Sequence, residues 1–171
     1  MSHSAKLAGS GFWADDRPGV KTLARQRDQA NIRHRLKGVR PDSTPRWGRM
    51  SAHQMVCHLS DSCRMVLGEK PVSQATNLLE RMIVKWIVLY LPVPWPAGIL
   101  TRPELDQELG GTRPGDFAAD VAELEVLLEL ISGQARGFDG RPHPRFGRMS
   151  AAAWLRWGYL HTDHHLRQFG V

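Results

Sequence analysis

One run of apolar residues constrains the fold of this chain more than any other feature. Phe117, Val121, Leu124, Leu128 and Ile131 recur at intervals of three or four positions, and acidic residues lie between them. Because an α-helix turns by about 100° per residue, this spacing places all five side chains on one face. The pattern predicts an amphipathic helix whose apolar face is buried.

Two further helices begin at recognisable caps. Ser51 and Gln54 form a capping box that opens a run ending at Gly68, and Ser150 caps a helix near the end of the chain. The first run has one apolar stripe, made of Ala52, Met55, Val56, Leu59, Cys63 and Val66. The final helix has an inner stripe of Trp154, Trp157, Gly158, His161, His165 and Gln168, with Leu155, Tyr159 and Leu166 opposite. A helix that is apolar on two faces is expected at the centre of a fold or at a dimer interface.

Two other segments favour helix with weaker patterns. Residues 20–37 contain good helix formers and neither Gly nor Pro, although their apolar residues do not form one stripe. The other segment has an apolar stripe of Leu79, Met82, Ile83, Trp86 and Tyr90, and it ends at Pro92, Pro94 and Pro96. Since no stretch alternates with period two, we predict an all-α four-helix bundle. An extra helix and Pro-rich crossover would lie between the second and third bundle helices.

The apolar segment 82–100 is long enough to raise the question of a membrane span. Its three prolines would break backbone hydrogen bonding inside a bilayer, and Glu80, Arg81 and Lys85 lie within or beside its helical half. We therefore predict a buried helix followed by a loop, with no membrane insertion.

The composition indicates a single domain with a core of its own. The chain has 171 residues, of which 42% are hydrophobic. We predict that residues 1–18 form a flexible lead-in and that residues 19–171 form the domain. The start lacks the apolar stretch of a secretory signal, so we predict a cytoplasmic protein with Cys57 and Cys63 as free thiols on different faces.

The net charge of +6 suits an anionic small ligand, whereas the absence of a recognised DNA-binding motif makes nucleic acid an unfavoured partner.

The candidate chemistry lies in the last helix. His161 and His165 are four positions apart, so their rings lie about 40° apart around the helix and can reach one metal ion. His164 is adjacent and could replace either of them. Two ligands do not make a secure site, so a third must come from another element.

An internal repeat indicates where that third ligand lies. The segment Arg46-Trp-Gly-Arg-Met-Ser-Ala52 recurs as Arg145-Phe-Gly-Arg-Met-Ser-Ala151, 99 residues later. Each copy ends in a Ser cap, so the two helices that follow are equivalent and could be neighbours. The first of these helices carries His58. We therefore predict a metal site formed by His58, His161 and His165, against the alternative of core histidines satisfied by hydrogen bonds.

Several other residues could contribute to such a site. Asp61 and Asp163 could accept a hydrogen bond from an imidazole or a bound water, although ordinary surface positions are favoured for both. Trp47, Trp95, Trp154 and Trp157 could line the site, but core packing is favoured for each. Cys57 points about 100° away from His58 on a helix, which disfavours it as a ligand. His3, His34, His53 and His143 have no supporting spacing and are expected at the surface.

These motifs resemble a known family. Trp47-Gly-Arg-Met-Ser with His58-Leu59, His143-Pro-x-Phe146-Gly, and the ending from Trp154 to Val171 with His161-x-x-x-His165-Leu-Arg-Gln-Phe-Gly resemble the DinB-like (YfiT-like) metalloenzyme superfamily. The resemblance spans about residues 20–171. It implies a four-helix bundle, a three-histidine site at His58, His161 and His165, and a homodimer.

The resemblance also implies a class of reaction. Relatives in that superfamily include S-transferases and isomerases that use bacillithiol, mycothiol or glutathione. We therefore expect a divalent metal ion, Zn or Ni, that activates a low-molecular-weight thiol against a small-molecule substrate. Two alternatives stay open: a metal-dependent hydrolase with Asp61 or Asp163 as base, and a non-catalytic bundle of the stress-response type.

Overall fold

The computed structural model describes residues 19–74, 85–91 and 94–171. The predicted lead-in at residues 1–18 lies outside this part of the chain, as do Leu79, Met82, Ile83 and Pro92 of the predicted stripe and its end.

The described residues form an all-α bundle, as the sequence predicted. Its main helices are α1 (Gln26–Leu36), α2 (Ala52–Leu67), α3 (Phe117–Gly133) and α4 (Ala151–Gln168). Residues 85–90 are also helical, and 3-10 turns occupy Pro103–Leu105 and Ala135–Phe138. Two short antiparallel strands, Pro142–His143 and Gly147–Arg148, form a small ribbon just before α4. This ribbon escaped prediction because two-residue strands are too short to show a period of two.

The helix ends follow the local sequence. Ser51 accepts a hydrogen bond from the Gln54 N–H while the Gln54 side chain accepts one from the Ser51 N–H, which is a complete capping box. Gly68 ends α2 in the left-handed conformation. Asp116 and Ser150 cap α3 and α4 through their side-chain oxygens.

The core lies where the apolar stripes meet. α2 packs mainly against α3, and α1 against α4. All six residues of the α2 stripe are buried, and so are Leu124, Leu128 and Ile131 of α3. The opposite side of α4 is buried within the same chain, at Leu155, Tyr159 and Leu166. The two apolar faces of α4 are therefore explained by a central position in the fold.

The prediction for the apolar segment before the prolines was partly wrong. Trp86 and Tyr90 were expected on the buried stripe, but their exposed fractions are 60% and 40%. Leu89 is the fully buried residue of helical positions 85–90. The buried face is thus turned by about one residue from the predicted stripe, because tertiary packing selects the face. Within the described residues, none of the helices has the length and apolar character that crossing a membrane requires.

The internal repeat has a shared backbone form. Gly48 and Gly147 occupy corresponding positions in the two copies, with φ angles of +78° and +64°. Both values lie in the left-handed region that glycine adopts without strain. Each copy then extends into a Ser cap, so α2 and α4 begin in the same way, as the repeat predicted.

A loop at residues 105–112 folds against α2 around one buried carboxylate. Asp61 has no exposed surface and accepts hydrogen bonds from the Thr112 N–H and hydroxyl, both at 2.7 Å. Its oxygen atoms also lie 3.3 Å from the side-chain nitrogens of Arg64 and Lys70. A Cβ at Gly111 would lie 2.7 Å from the backbone carbon of Asp106, so the loop closes only with glycine there. Asp61 is therefore a buried anchor and not the surface acid that was favoured from the sequence.

Candidate metal centre

The three predicted ligands come together between α2 and α4. One ligand atom each from His58, His161 and His165 lies within 4.8 Å of the others. The Nε2 atoms of His58 and His161 are 3.2 Å apart. His58 and His165 are buried, whereas His161 is partly exposed. The structure thus brings together the three rings that the sequence spacing and the repeat indicated.

The hydrogen bond of His58 determines which of its nitrogens is available. Its Nδ1 lies 2.9 Å from the carbonyl oxygen of Leu105, which can only accept. Nδ1 therefore carries the proton, and the neutral ring presents the lone pair of Nε2 to the other two histidines. Because Leu105 is in the loop that Asp61 anchors, the orientation of this ring depends on that loop.

The free nitrogen of His165 can be identified in the same way, through the hydrogen bonds of Gln168. The Gln168 side-chain amide donates to the carbonyl of Trp47 at 2.8 Å, so its Nε2 must face Trp47. Its Oε1 then faces His165 Nδ1, at 2.8 Å, and accepts the proton of that nitrogen. His165 consequently presents the lone pair of Nε2, as His58 does.

Burial keeps these imidazoles neutral. Desolvation lowers the pKa of His58, against an opposing effect of its hydrogen bond to Leu105. Desolvation, followed by the proximity of the other histidines, lowers the pKa of His161 and of His165 well below the usual value. At neutral pH the cluster therefore offers uncharged nitrogen donors, which is the form that binds metal.

The residues present fit a divalent metal ion. Nitrogen atoms bound at 2.0–2.1 Å to one tetrahedral ion would lie about 3.3 Å apart. The 3.2 Å separation between the His58 and His161 nitrogens is close to that value. Three protein ligands leave coordination positions free, which is typical of catalytic rather than closed structural sites.

A cavity of about 380 Å³ borders all three ligands. Its wall is mainly apolar and includes Ile87, Val88, Trp95, Leu105, Phe146 and Trp157. The ring of Trp157 stacks on His161, with centroids 4.7 Å apart and planes at 23°. Arg102 and Arg145 also line the cavity and supply positive charge. The ligand cluster thus has room beside it for a small substrate with an apolar part and an anionic part.

The tryptophans divide between the two predicted roles. Trp95 and Trp157 line the cavity, and Trp47 lines a neighbouring cavity of about 300 Å³ that borders His164 and His165. Trp154 is a core residue, 2% exposed, whose indole N–H donates to the Arg141 carbonyl. Core packing was therefore the correct expectation for Trp154 and an incomplete one for the others.

His143 is the residue of this cavity that sequence reasoning missed. It was expected at the surface, but it is buried and stacks on Phe146, with ring centroids 4.4 Å apart. Desolvation, with the nearby charges of Arg145 and Lys85, lowers its pKa to about 3. Nδ1 accepts from the N–H groups of Arg145 and Phe146, so the proton lies on Nε2. Its place just before the second copy of the repeat, in His143-Pro-x-Phe146-Gly, was the available signal.

The remaining candidates take other positions. Asp163 is partly exposed and pairs with Arg35 at 2.6 Å and Arg167 at 2.9 Å. The observed acceptors for the ligand rings are thus Leu105 and Gln168, and not Asp61 or Asp163. His164 is buried with an unpartnered Nδ1 and lines both cavities.

The remaining histidine and cysteine expectations have mixed outcomes. His34 is exposed, as expected, whereas His3 lies outside the described residues. Both cysteines are free and buried. Cys57 points away from the triad and contacts Asp120; burial and that carboxylate raise its pKa to about 12. Cys57 is therefore a protonated thiol at neutral pH.

Most of the chain matches a known protein family. The model of the family described as protein of unknown function (DUF1569) matches residues 24–170, which is most of the chain. No curated protein and no solved structure shows significant similarity to this chain.

Proposed function

We propose that this chain, which belongs to the DUF1569 family, binds a divalent metal ion at His58, His161 and His165 and uses it in catalysis. One observation carries the proposal. Three neutral imidazoles converge within 4.8 Å beside a cavity, and two of them are oriented by hydrogen bonds from Nδ1. His58 has a partner at each nitrogen, but three rings that converge beside a cavity exceed what one hydrogen-bonded pair of core histidines needs.

We also propose that the protein is a member of the DinB-like superfamily and forms homodimers. Support for membership comes from the all-α bundle, the repeated turn before α2 and α4, and the contribution of one ligand from α2 and two from α4. The dimer rests on the family resemblance, and its test is the molar mass measured by light scattering.

The proposed reaction is the transfer of a low-molecular-weight thiol to an electrophile. A divalent cation lowers the pKa of a thiol that it coordinates and so supplies thiolate sulfur at neutral pH. In the transfer, sulfur forms a bond to the electrophilic carbon, the leaving group departs with its bonding electrons, and the thiol proton passes to solvent. Arg102 and Arg145 are suited to hold an anionic thiol, and the apolar wall to hold the electrophile.

The contacts of the two acids favour thiol transfer over hydrolysis. A hydrolase of this kind was expected to use Asp61 or Asp163 as the base. Asp61 is occupied by the N–H and hydroxyl of Thr112, and Asp163 by two arginines. Neither carboxylate is an observed partner of the ligand rings, whose Nδ1 contacts are Leu105 and Gln168.

Metal analysis is the first test. Protein purified without chelators is expected to hold about one Zn or Ni ion per chain at the triad, and His161→Ala to lose it. The exposed His34 provides the control, because His34→Ala should keep the metal. Equal metal content in wild type and in both variants would rule out the proposed ligands.

The thiol is tested on the same samples. Thermal unfolding of the metal-loaded protein is measured with glutathione, bacillithiol and mycothiol, and the accepted thiol should raise the melting temperature only when metal is present. Turnover of a small electrophile, followed by mass spectrometry of the thioether, should require that thiol. Product formation from water alone, without thiol, would instead establish the hydrolase.

A further inference from the structure

A second group of metal-ligating side chains lies on another face of α2. His53 and Cys57 are four positions apart on this helix, and Asp120 is in the first turn of α3. His53 Nε2 lies 2.6 Å from Asp120 Oδ2, and Cys57 Sγ lies 3.6 Å from the same oxygen. One ligand atom from each residue lies within 4.8 Å of the other two.

This group is distinct from the histidine triad. His53 and Cys57 share one helix face because four residues advance the helix by about 40°, whereas Cys57 and His58 point about 100° apart. His58 therefore faces α4, and the second group faces α3. The triad therefore lies between α2 and α4, and the second group lies between α2 and α3.

The second group is accessible from solvent. Cys57 is 2% exposed, but the side chains of His53 and Asp120 are 20% and 22% exposed. An ion could therefore reach the group at its outer edge while the sulfur remains sheltered. Helices α2 and α3 make the most extensive packing in the bundle, so the backbone that carries the three donors is well supported.

We infer that His53, Cys57 and Asp120 form a second metal site, for a thiophilic divalent ion of the Zn²⁺ type, with a fourth position open to water. Imidazole, thiolate and carboxylate are all ligands of Zn²⁺, and the thiolate selects against Mg²⁺ and Ca²⁺. Sulfur and oxygen bound to one tetrahedral Zn²⁺ lie about 3.5 Å apart, which matches the observed 3.6 Å.

Binding requires one local rearrangement. Nitrogen and oxygen ligands of one Zn²⁺ lie about 3.3 Å apart, so the 2.6 Å contact between His53 and Asp120 must open by about 0.7 Å. Both side chains are partly exposed, which permits this movement. The Cys57 thiol proton passes to solvent as the metal–sulfur bond forms. The bound ion then joins α2 to α3 and stabilises their packing.

Cobalt(II) titration distinguishes this site from the triad. A Co²⁺–thiolate bond gives an intense near-ultraviolet charge-transfer absorption, and the three-histidine site has no sulfur to produce it. Wild type should take up a second equivalent of Co²⁺ that carries this absorption, and His161→Ala should retain it. If the histidine triad binds no metal, the thiolate absorption therefore still tests the second site.

Two variants and a matched control complete the experiment. Cys57→Ser should abolish the thiolate absorption, and Asp120→Asn should weaken Co²⁺ binding at this site by at least about 10-fold. Cys63→Ser is the control, because Cys63 is buried on the same helix and outside the metal-ligating clusters of the described residues. No thiolate absorption in wild type, or its persistence in Cys57→Ser, would overturn the inference.

Discussion

The histidine triad and the His53–Cys57–Asp120 group differ in where their hydrogen bonds go. In the triad, Nδ1 of His58 and of His165 donates to acceptors outside the cluster. In the second group, His53 and Cys57 both contact Asp120, which also accepts from the Gly115 N–H at 3.0 Å. One helix, α2, thus contributes to a set with two rings oriented from outside and to a set whose members all contact one carboxylate.

This difference predicts unequal binding. An ion entering the triad meets neutral rings, of which His58 and His165 are already held through Nδ1, and it replaces the 3.2 Å contact between the Nε2 atoms of His58 and His161. An ion entering the second group must break the contact between His53 and Asp120 and displace the thiol proton of Cys57. We therefore expect tighter binding at the triad, and a steeper loss of binding with falling pH at the second group.

The largest expected effect comes from the anchor of the 105–112 loop. Asp61→Asn removes a buried charge that holds Thr112, and through this loop the Leu105 carbonyl that orients His58. The free energy of unfolding should fall by about 3 kcal/mol, and metal affinity at the triad by about 10-fold. Urea unfolding and competition with a chelator measure the two quantities.

The control for this change is Asp163→Asn. Its ion pairs are partly exposed, so its cost should stay below about 1 kcal/mol. Asp61→Asn should weaken Co²⁺ binding at the second group less than at the triad, because its charge acts there only on the Cys57 thiol, whose pKa it raises. Equal weakening of both sites would show that Asp61 acts through general stability and not through the orientation of His58.

A smaller effect is expected from Gln168, at the other end of the triad. Gln168→Ala removes the acceptor of His165 Nδ1 and should lower metal affinity at the triad by about 10-fold. Gln168→Glu keeps an acceptor and should restore most of the affinity, although it cannot donate to Trp47. An Ala variant with wild-type affinity would contradict the proposed role of Gln168.

The last effect is absent at neutral pH and appears only as the pH is lowered. The pKa of His143 is about 3 in the folded protein and 6.5 as its ordinary value, so only the unfolded chain binds this proton between those values. The contribution of His143 to the free energy of unfolding is therefore complete above pH 6.5 and falls as the pH decreases, by about 1 kcal/mol per pH unit. Urea unfolding of the metal-free protein should show this loss. His143→Asn, whose side-chain oxygen can still accept, should reduce the slope, whereas His34→Asn should not.

Local sequence rules predicted the helices and much of the candidate site. Ser51 with Gln54, Ser150 and Gly68 determine helix ends through contacts within a few residues, which is why they could be read directly. The spacing of His161 and His165, and the repeat before His58, led to the three rings that the fold brings together. These features depend on helix geometry, which is the same wherever a helix lies.

The features that were missed depend on contacts between distant segments. The burial of His143 and Asp61, the exposure of Trp86, and the roles of Leu105 and Gln168 all involve residues that neighbour one another only after folding. The sequence contains these residues but no local pattern that pairs them.

By itself, then, the sequence determined an all-α chain and placed His58, His161 and His165 on the faces of two similar helices. The tertiary structure alone decided which nitrogen of each oriented ring is free, which cavity the rings face, and that His53 and Cys57 meet Asp120. The physical reason is that helix formation and capping are local, whereas burial and hydrogen-bond partners are settled by the packing of the whole chain.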